Sequence, residues 1–163
     1  MKYKDQILAL LDQDARLTAT QIARMLDAPE EEIIAAIREL ERMGVILGYK
    51  AMIDWDKTEQ ESVTAQIEVR ITPQKGMGFD EVARQICSHP QVQAAYLMSG
   101  GFDLTIIITG KTLREISQFV SENLAPMESV ISTATHFILK KYKDQGVEYD
   151  PSKADTREVM MAW

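Results

Sequence analysis

Apolar residues recur at helical spacing through the first forty-odd positions of the chain. Tyr3, Ile7, Leu10 and Leu11, with Leu8 beside them, predict one amphipathic helix. Leu17-Thr18 interrupts it, and Thr18 with Gln21 three residues on fits a capping box that opens a second, short helix through Ile22, Ala23 and Leu26. Asp27-Ala28-Pro29 breaks the pattern again. Proline suits the first turn of a new helix, and Glu30 to Glu32 complement its N-terminal dipole. The third helix then places Ile33, Ile37 and Leu40 on one stripe and ends at Gly44. The short connection between the second and third helices predicts a helix-turn-helix.

Beyond Gly44 the period changes. Val45-Ile46-Leu47 and Tyr49 to Ile53 predict short extended pieces around Gly48, and the polar stretch from Asp54 to Glu61 predicts a linker. Alternation of Val63, Ala65, Ile67, Val69 and Ile71 marks a strand. A helix from about Phe79 to Ser88 and a strand from about Val92 to Met98 follow it. The unit then repeats as a strand at Leu104 to Thr109, a helix at Thr112 to Leu124 and a strand at Val130 to Leu139. Two strand-helix-strand units predict an α+β chain: a winged or helix-turn-helix three-helix domain joined to a ferredoxin-like βαββαβ domain. The expected boundaries are 1–53 for the first domain, 54–61 for the linker, 62–143 for the second domain and 144–163 for a tail. That tail ends Val159-Met160-Met161-Ala162-Trp163, an apolar run expected to dock rather than stay wet.

Composition narrows the class. The 163 residues include one cysteine, which excludes an internal disulfide framework and a cysteine-rich zinc site. No apolar run is long enough for a membrane span, and the start turns acidic too early for a signal peptide, so a soluble, cytoplasmic protein without membrane partners is expected. The formal net charge is -7, with eight Lys/Arg against twelve Asp/Glu in residues 1–60. Phosphate contacts normally need a basic face, so this balance opposes nucleic-acid binding. No convergent catalytic set is apparent, and neither an enzyme nor a cofactor is expected. His89 precedes a proline at a helix end, His136 has no ligand at metal spacing, and Cys87 lies near an apolar stripe as a small core residue would. Gly76, Gly78, Gly100 and Gly101 lack the spacing of a phosphate-binding loop.

Three stretches carry a family likeness: Leu40-Glu41-Arg42-Met43-Gly44-Val45-Ile46 with Gly48-Tyr49, Ser99-Gly100-Gly101-Phe102-Asp103-Leu104, and Thr133 to Lys141. In this order and spacing the chain, over about residues 3–142, resembles the Lrp/AsnC family of bacterial and archaeal transcription regulators. The resemblance implies double-stranded DNA as partner, an amino-acid effector bound between dimers, and a homodimer that assembles further. An apolar open sheet face of Val63, Ile67, Val92, Ala94, Ile106 and Ile138 also predicts a second copy.

On the third helix the stripe opposite the apolar one is Glu31, Ala35, Arg38 and Arg42, flanked by Glu32 and Glu39. Arg38 and Arg42 suit phosphates or guanine edges, and Ala35 suits a thymine methyl. Arg24, Lys50, Lys2 and Lys4 are candidate backbone contacts; ordinary pairing of the arginines with Glu39 or Glu41 is the alternative. The chain departs from the family in Ala35-Ala36 and the nearby glutamates, which motivates a rival reading: an assembly module with weak DNA readout that modulates a paralogous regulator through mixed oligomers. At the second site, Gly100 and Gly101 let a ligand approach the main chain, Asp103 suits an ammonium group, and turn amides suit a carboxylate. Met98 and Ser99 flank it, with Thr133 or Thr135 closing it. From spacing alone an ordinary hairpin turn capped by Asp103 is the stronger reading, and the family resemblance favours the effector site.

Overall fold

The computed structural model describes residues 2–72 and 78–149. The chain forms two units, Met1–Ile53 and Asp54–Trp163. In the first, α1 (Lys4–Gln13), α2 (Ala19–Leu26) and α3 (Glu30–Arg42) enclose Ile7, Ile22, Ile33 and Leu40, all fully buried, with Leu11, Ala23 and Ala36 beside them. The capping box forms: Gln21 N–H donates to Thr18 Oγ1 at 3.2 Å, and Thr18 N–H donates to Gln21 Oε1 at 2.8 Å. Asp27 takes φ 48° at the end of α2, and Pro29 caps α3 from just outside its first turn.

The end of α3 is a Schellman turn. Gly44 has φ 67°, Val45 N–H donates to the Leu40 carbonyl at 2.9 Å, and Gly44 N–H donates to Glu41 at 3.0 Å. The extended pieces expected after it do not become strands, since residues 45–53 form no ladder with any neighbour. An extended backbone becomes a strand only when a second one satisfies its N–H and C=O groups.

The second unit contains β1 (Val63–Ile71), α4 (Phe79–Cys87), β2 (Val92–Leu97), β3 (Leu104–Gly110), α5 (Leu113–Phe119) and β4 (Val130–Phe137). A wider π-helical turn, Val120–Leu124, continues α5. The sheet order is β2-β3-β1-β4 with every pair antiparallel, the ferredoxin-like arrangement. Ala65, Ile67, Val69 and Ile71 of β1 face the helices, against Val82, Ile86, Ile116 and Leu124.

That row corrects the expected open face. Ile67 and Ile106 are fully buried under the helices, and Val63 and Val92 pack against the same core. A strand has one apolar side, and the helices occupy it. Register instead puts Gln66, Glu68 and Arg70 on the open side, with Thr105 and Ile107 of β3 and Ala134 and His136 of β4. Of the six residues expected there, two keep the placement: Ala94 pairs with Ile107, and Ile138, two residues beyond His136 with its N–H on the Thr64 carbonyl, lies exposed on the open side.

A small hairpin follows, β5 (Lys143–Asp144) and β6 (Val147–Glu148). Gln145 and Gly146 both have positive φ, as a two-residue hairpin turn requires. The apolar run Val159–Trp163 lies outside the described residues.

Ile67 sits at the middle of the central strand with no exposed surface. Ile67→Ala should cost about 2–5 kcal/mol, read as a lower urea midpoint at unchanged m.

Candidate functional site

The first candidate surface is the outer side of α3. Because Ile33, Ala36 and Leu40 point inward, Glu31, Ala35, Arg38 and Arg42 point outward, and all four are exposed. The structure thus brings together three of the five residues expected to meet DNA. Arg24 on α2 and Lys50 beyond α3 are exposed as well. Ala36 belongs to the core, so it never stood where a reading side chain could, and Ile37 is only half-buried.

Most of the α3 glutamates are already engaged. Glu30 accepts from the Thr20 hydroxyl at 2.7 Å, tying α3 to α2, and Glu41 accepts from the Tyr49 hydroxyl at 2.9 Å. Burial, and then the Glu41 carboxylate, push the Tyr49 hydroxyl above its ordinary value. Glu32 lies 3.7 Å from Lys2 Nζ, which also sits 4.6 Å from the centre of the Tyr3 ring. Glu39 receives Arg42 Nε at 2.8 Å and Nη2 at 2.5 Å. That pair of hydrogen bonds holds the Glu39 carboxyl below its usual range and the Arg42 guanidinium above its own. Arg38, by contrast, makes no hydrogen bond or ion pair among the described residues. Pairing of the arginines therefore holds for Arg42 and fails for Arg38.

The second candidate surface is the β2–β3 turn. Met98 N–H donates to the Asp103 carbonyl at 2.8 Å and closes it. Asp103 N–H donates to Val69 at 3.0 Å, and Asp103 Oδ2 accepts from Ile71 N–H at 2.7 Å. Asp103 is thus a brace to β1, thirty-two residues away, rather than a cap on its own turn. Sequence spacing carries no signal for Ile71, because only the sheet register brings it there. Gly100 has φ 141°, a conformation that favours glycine, whereas Gly101 does not need it. The N–H groups of Ser99, Gly100, Gly101 and Phe102 find no acceptor among the described residues. Thr133 and Thr135 stand elsewhere: both are half-buried on the helix side of β4, with β1 between them and β3. Two strand spacings, about 10 Å, separate Thr133 from the start of β3.

The remaining reactive side chains do not converge. His89 packs edge-on against Phe119 at 5.3 Å between centroids. His136 Nε2 lies 3.6 Å from Glu68 on the neighbouring strand, a carboxylate invisible at the level of sequence spacing. Cys87 is exposed rather than part of the core. Among the described residues no group of three His, Cys, Asp or Glu could hold a metal ion, and no helix is long and apolar enough to cross a membrane.

Comparison with known proteins decides the family. A model of the winged helix-turn-helix DNA-binding domain matches residues 3–46, and the model of the Lrp/AsnC ligand binding domain matches residues 64–148. The HTH-type transcriptional regulator YugG of Bacillus subtilis is 44% identical, with 95% of this chain and 94% of that protein aligned. The chain belongs to the Lrp/AsnC family. It is a DNA-binding transcriptional regulator with a ligand-binding domain, and not an enzyme. The leucine-responsive regulatory protein of Rhizobium meliloti is 27% identical over 85% of this chain and 88% of its own. Among solved structures, a Neisseria meningitidis transcriptional regulator in complex with L-Met shares the fold at TM-score 0.72 and 22% identity, covering 88% of this chain and 92% of that one.

In this Lrp/AsnC chain Asp103 holds a buried strand end, so its removal should be felt in stability. Asp103→Ala should cost about 1–3 kcal/mol by leaving Ile71 N–H without an acceptor, whereas Asp103→Asn, which keeps a carbonyl oxygen there, should cost less. Thermal melts of the two variants compare them.

Proposed function

We propose that this regulator acts in the cytoplasm as a homodimer that assembles further, reads double-stranded DNA through the outer face of α3, and is modulated by an amino acid at the Met98–Asp103 turn. The observation that carries the reading is the outer stripe of α3. It presents Arg38 unpaired, with small Ala35 one turn away, over a core of Ile33, Ala36 and Leu40 that leaves the stripe no packing role. Arg38 is the leading contact to bases or phosphate, Arg42 follows, and Arg24 and Lys50 supply backbone contacts. The pairing of two α3 glutamates with cations, Glu32 with Lys2 and Glu39 with Arg42, weakens the case for a module without readout.

The effector proposal rests on the turn alone. Four consecutive N–H groups without acceptors among the described residues, three of them on exposed residues, suit a carboxylate, and Asp103 Oδ1, which has no partner among the described residues, suits an ammonium group. That pair of functions is what a free amino acid carries. Thr133 and Thr135 enter such a site only if another copy supplies them. Oligomerisation is supported by apolar exposure: Leu47, Tyr49, Leu139 and Tyr142 are each at least half exposed, and Ile138 of the expected sheet face is exposed as well. An effector that alters contacts between copies changes how many α3 helices can engage one duplex, and the coupling acts equally on ligand and DNA affinity.

Binding to a labelled duplex spanning the chain's own promoter, followed by fluorescence anisotropy at low salt, tests the DNA reading. Arg38→Ala should weaken it about tenfold, and binding indifferent to Arg38 would remove α3 from the interface. A thermal-shift screen of the proteinogenic amino acids against wild type and Asp103→Asn tests the turn. A ligand there should raise the wild-type melting temperature and leave Asp103→Asn nearly unmoved; equal shifts would place the effector elsewhere.

A further inference from the structure

Two cations along one edge of α3 are already held by carboxylates of the same chain. Glu32 and Glu39 stand seven residues apart, about two turns, on that edge. The first lies against Lys2 and the second binds Arg42 through two donors. Between them Tyr3, Ala35 and Ala36 line a hollow of about 320 Å³ that both carboxylates border.

The chemistry of Arg42 makes this arrangement consequential. A guanidinium offers five N–H donors, and Glu39 takes the Nε edge in a fork that a phosphate would use equally well. A phosphate arriving at the free edge stands within a Debye length of the Glu39 charge and is opposed by it. Arg38, one turn earlier on the same outward stripe, carries no such partner.

We propose that Glu39 is an intramolecular competitor for DNA phosphate at Arg42, so that α3 engages the backbone through Arg38 and gains Arg42 only by exchanging one anion for another. The proposal rests on α3 being the DNA-facing helix. Its consequence is a salt dependence shallower than the exposed cations would give, because an Arg42 that stays with Glu39 neutralises no phosphate and releases no counterion from the duplex.

The test uses the full chain with two labelled duplexes of equal length, its own promoter and a scrambled sequence, titrated over a range of salt. Glu39→Gln should tighten binding to both duplexes about three- to tenfold at low salt and steepen the log–log salt slope by about one. In an Arg42→Ala background the gain from Glu39→Gln should fall to that given by Glu31→Gln, an outward glutamate with no partner. Glu39→Ala, with the same sign expected, guards against a folding defect peculiar to one variant, and melts confirm the fold. Unchanged or weaker binding by Glu39→Gln, or an equal gain with and without Arg42, would overturn the competitor role. Wild type that binds neither duplex at low salt would overturn the α3 reading itself, and this proposal with it; binding without an Arg42-dependent effect of Glu39 would overturn this proposal alone.

Discussion

The two-residue alternation of β1 is the constraint on which the second unit depends. Paired on both edges, by β3 and β4, this strand cannot shift by one residue without turning Ala65, Ile67 and Val69 out of the core. Its outer row, Gln66, Glu68 and Arg70, is thereby committed to the open side. Its last N–H, on Ile71, is what Asp103 reaches for. Packing, open face and turn thus follow from one register, and a change in any of them is a change in β1.

In the first unit the corresponding constraint is which side of α3 is buried. Alanine decides it as much as the large residues do, because Ala36 lets α3 approach its neighbours between Ile33 and Leu40. Once that side is fixed, Arg38 and Arg42 face outward whatever the net charge of the chain. The charge of -7 is then too global a quantity to decide the question. What matters to a phosphate is the local field, and there Glu32 and Glu39 face cations of the same chain, while Glu30 and Glu41 are held by the neutral Thr20 and Tyr49 hydroxyls and keep their charge.

The order of elements was legible because each is strongly periodic and punctuated: the Thr18 box, the Gly44 stop, the alternation from Val63 to Ile71. The side of the sheet left open was not. Alternation shows that a strand has an apolar row but not which row the helices cover, and residues from both rows were pooled. The partners of site residues were legible only where they are local in sequence. Glu39 and Arg42 are three apart and were anticipated; Asp103 and Ile71, or His136 and Glu68, meet only through register. Thr133 and Thr135 were placed at the turn by their strand, when the strand in question is separated from β3 by β1.

The turn is divided into a fixed part and an unfixed one, and that division shapes what a ligand there can do. Asp103 is held through its N–H and through one carboxylate oxygen, so the group offered to an ammonium is set in place before anything binds. Ser99, Gly100 and Gly101 are exposed, and their N–H groups bond to nothing among the described residues. A ligand that spans both therefore spends its interaction on ordering the outer arc and little on moving the brace. On the proposed reading, a ligand there would act outward, on contacts between copies, rather than inward through a core that β1 has already locked.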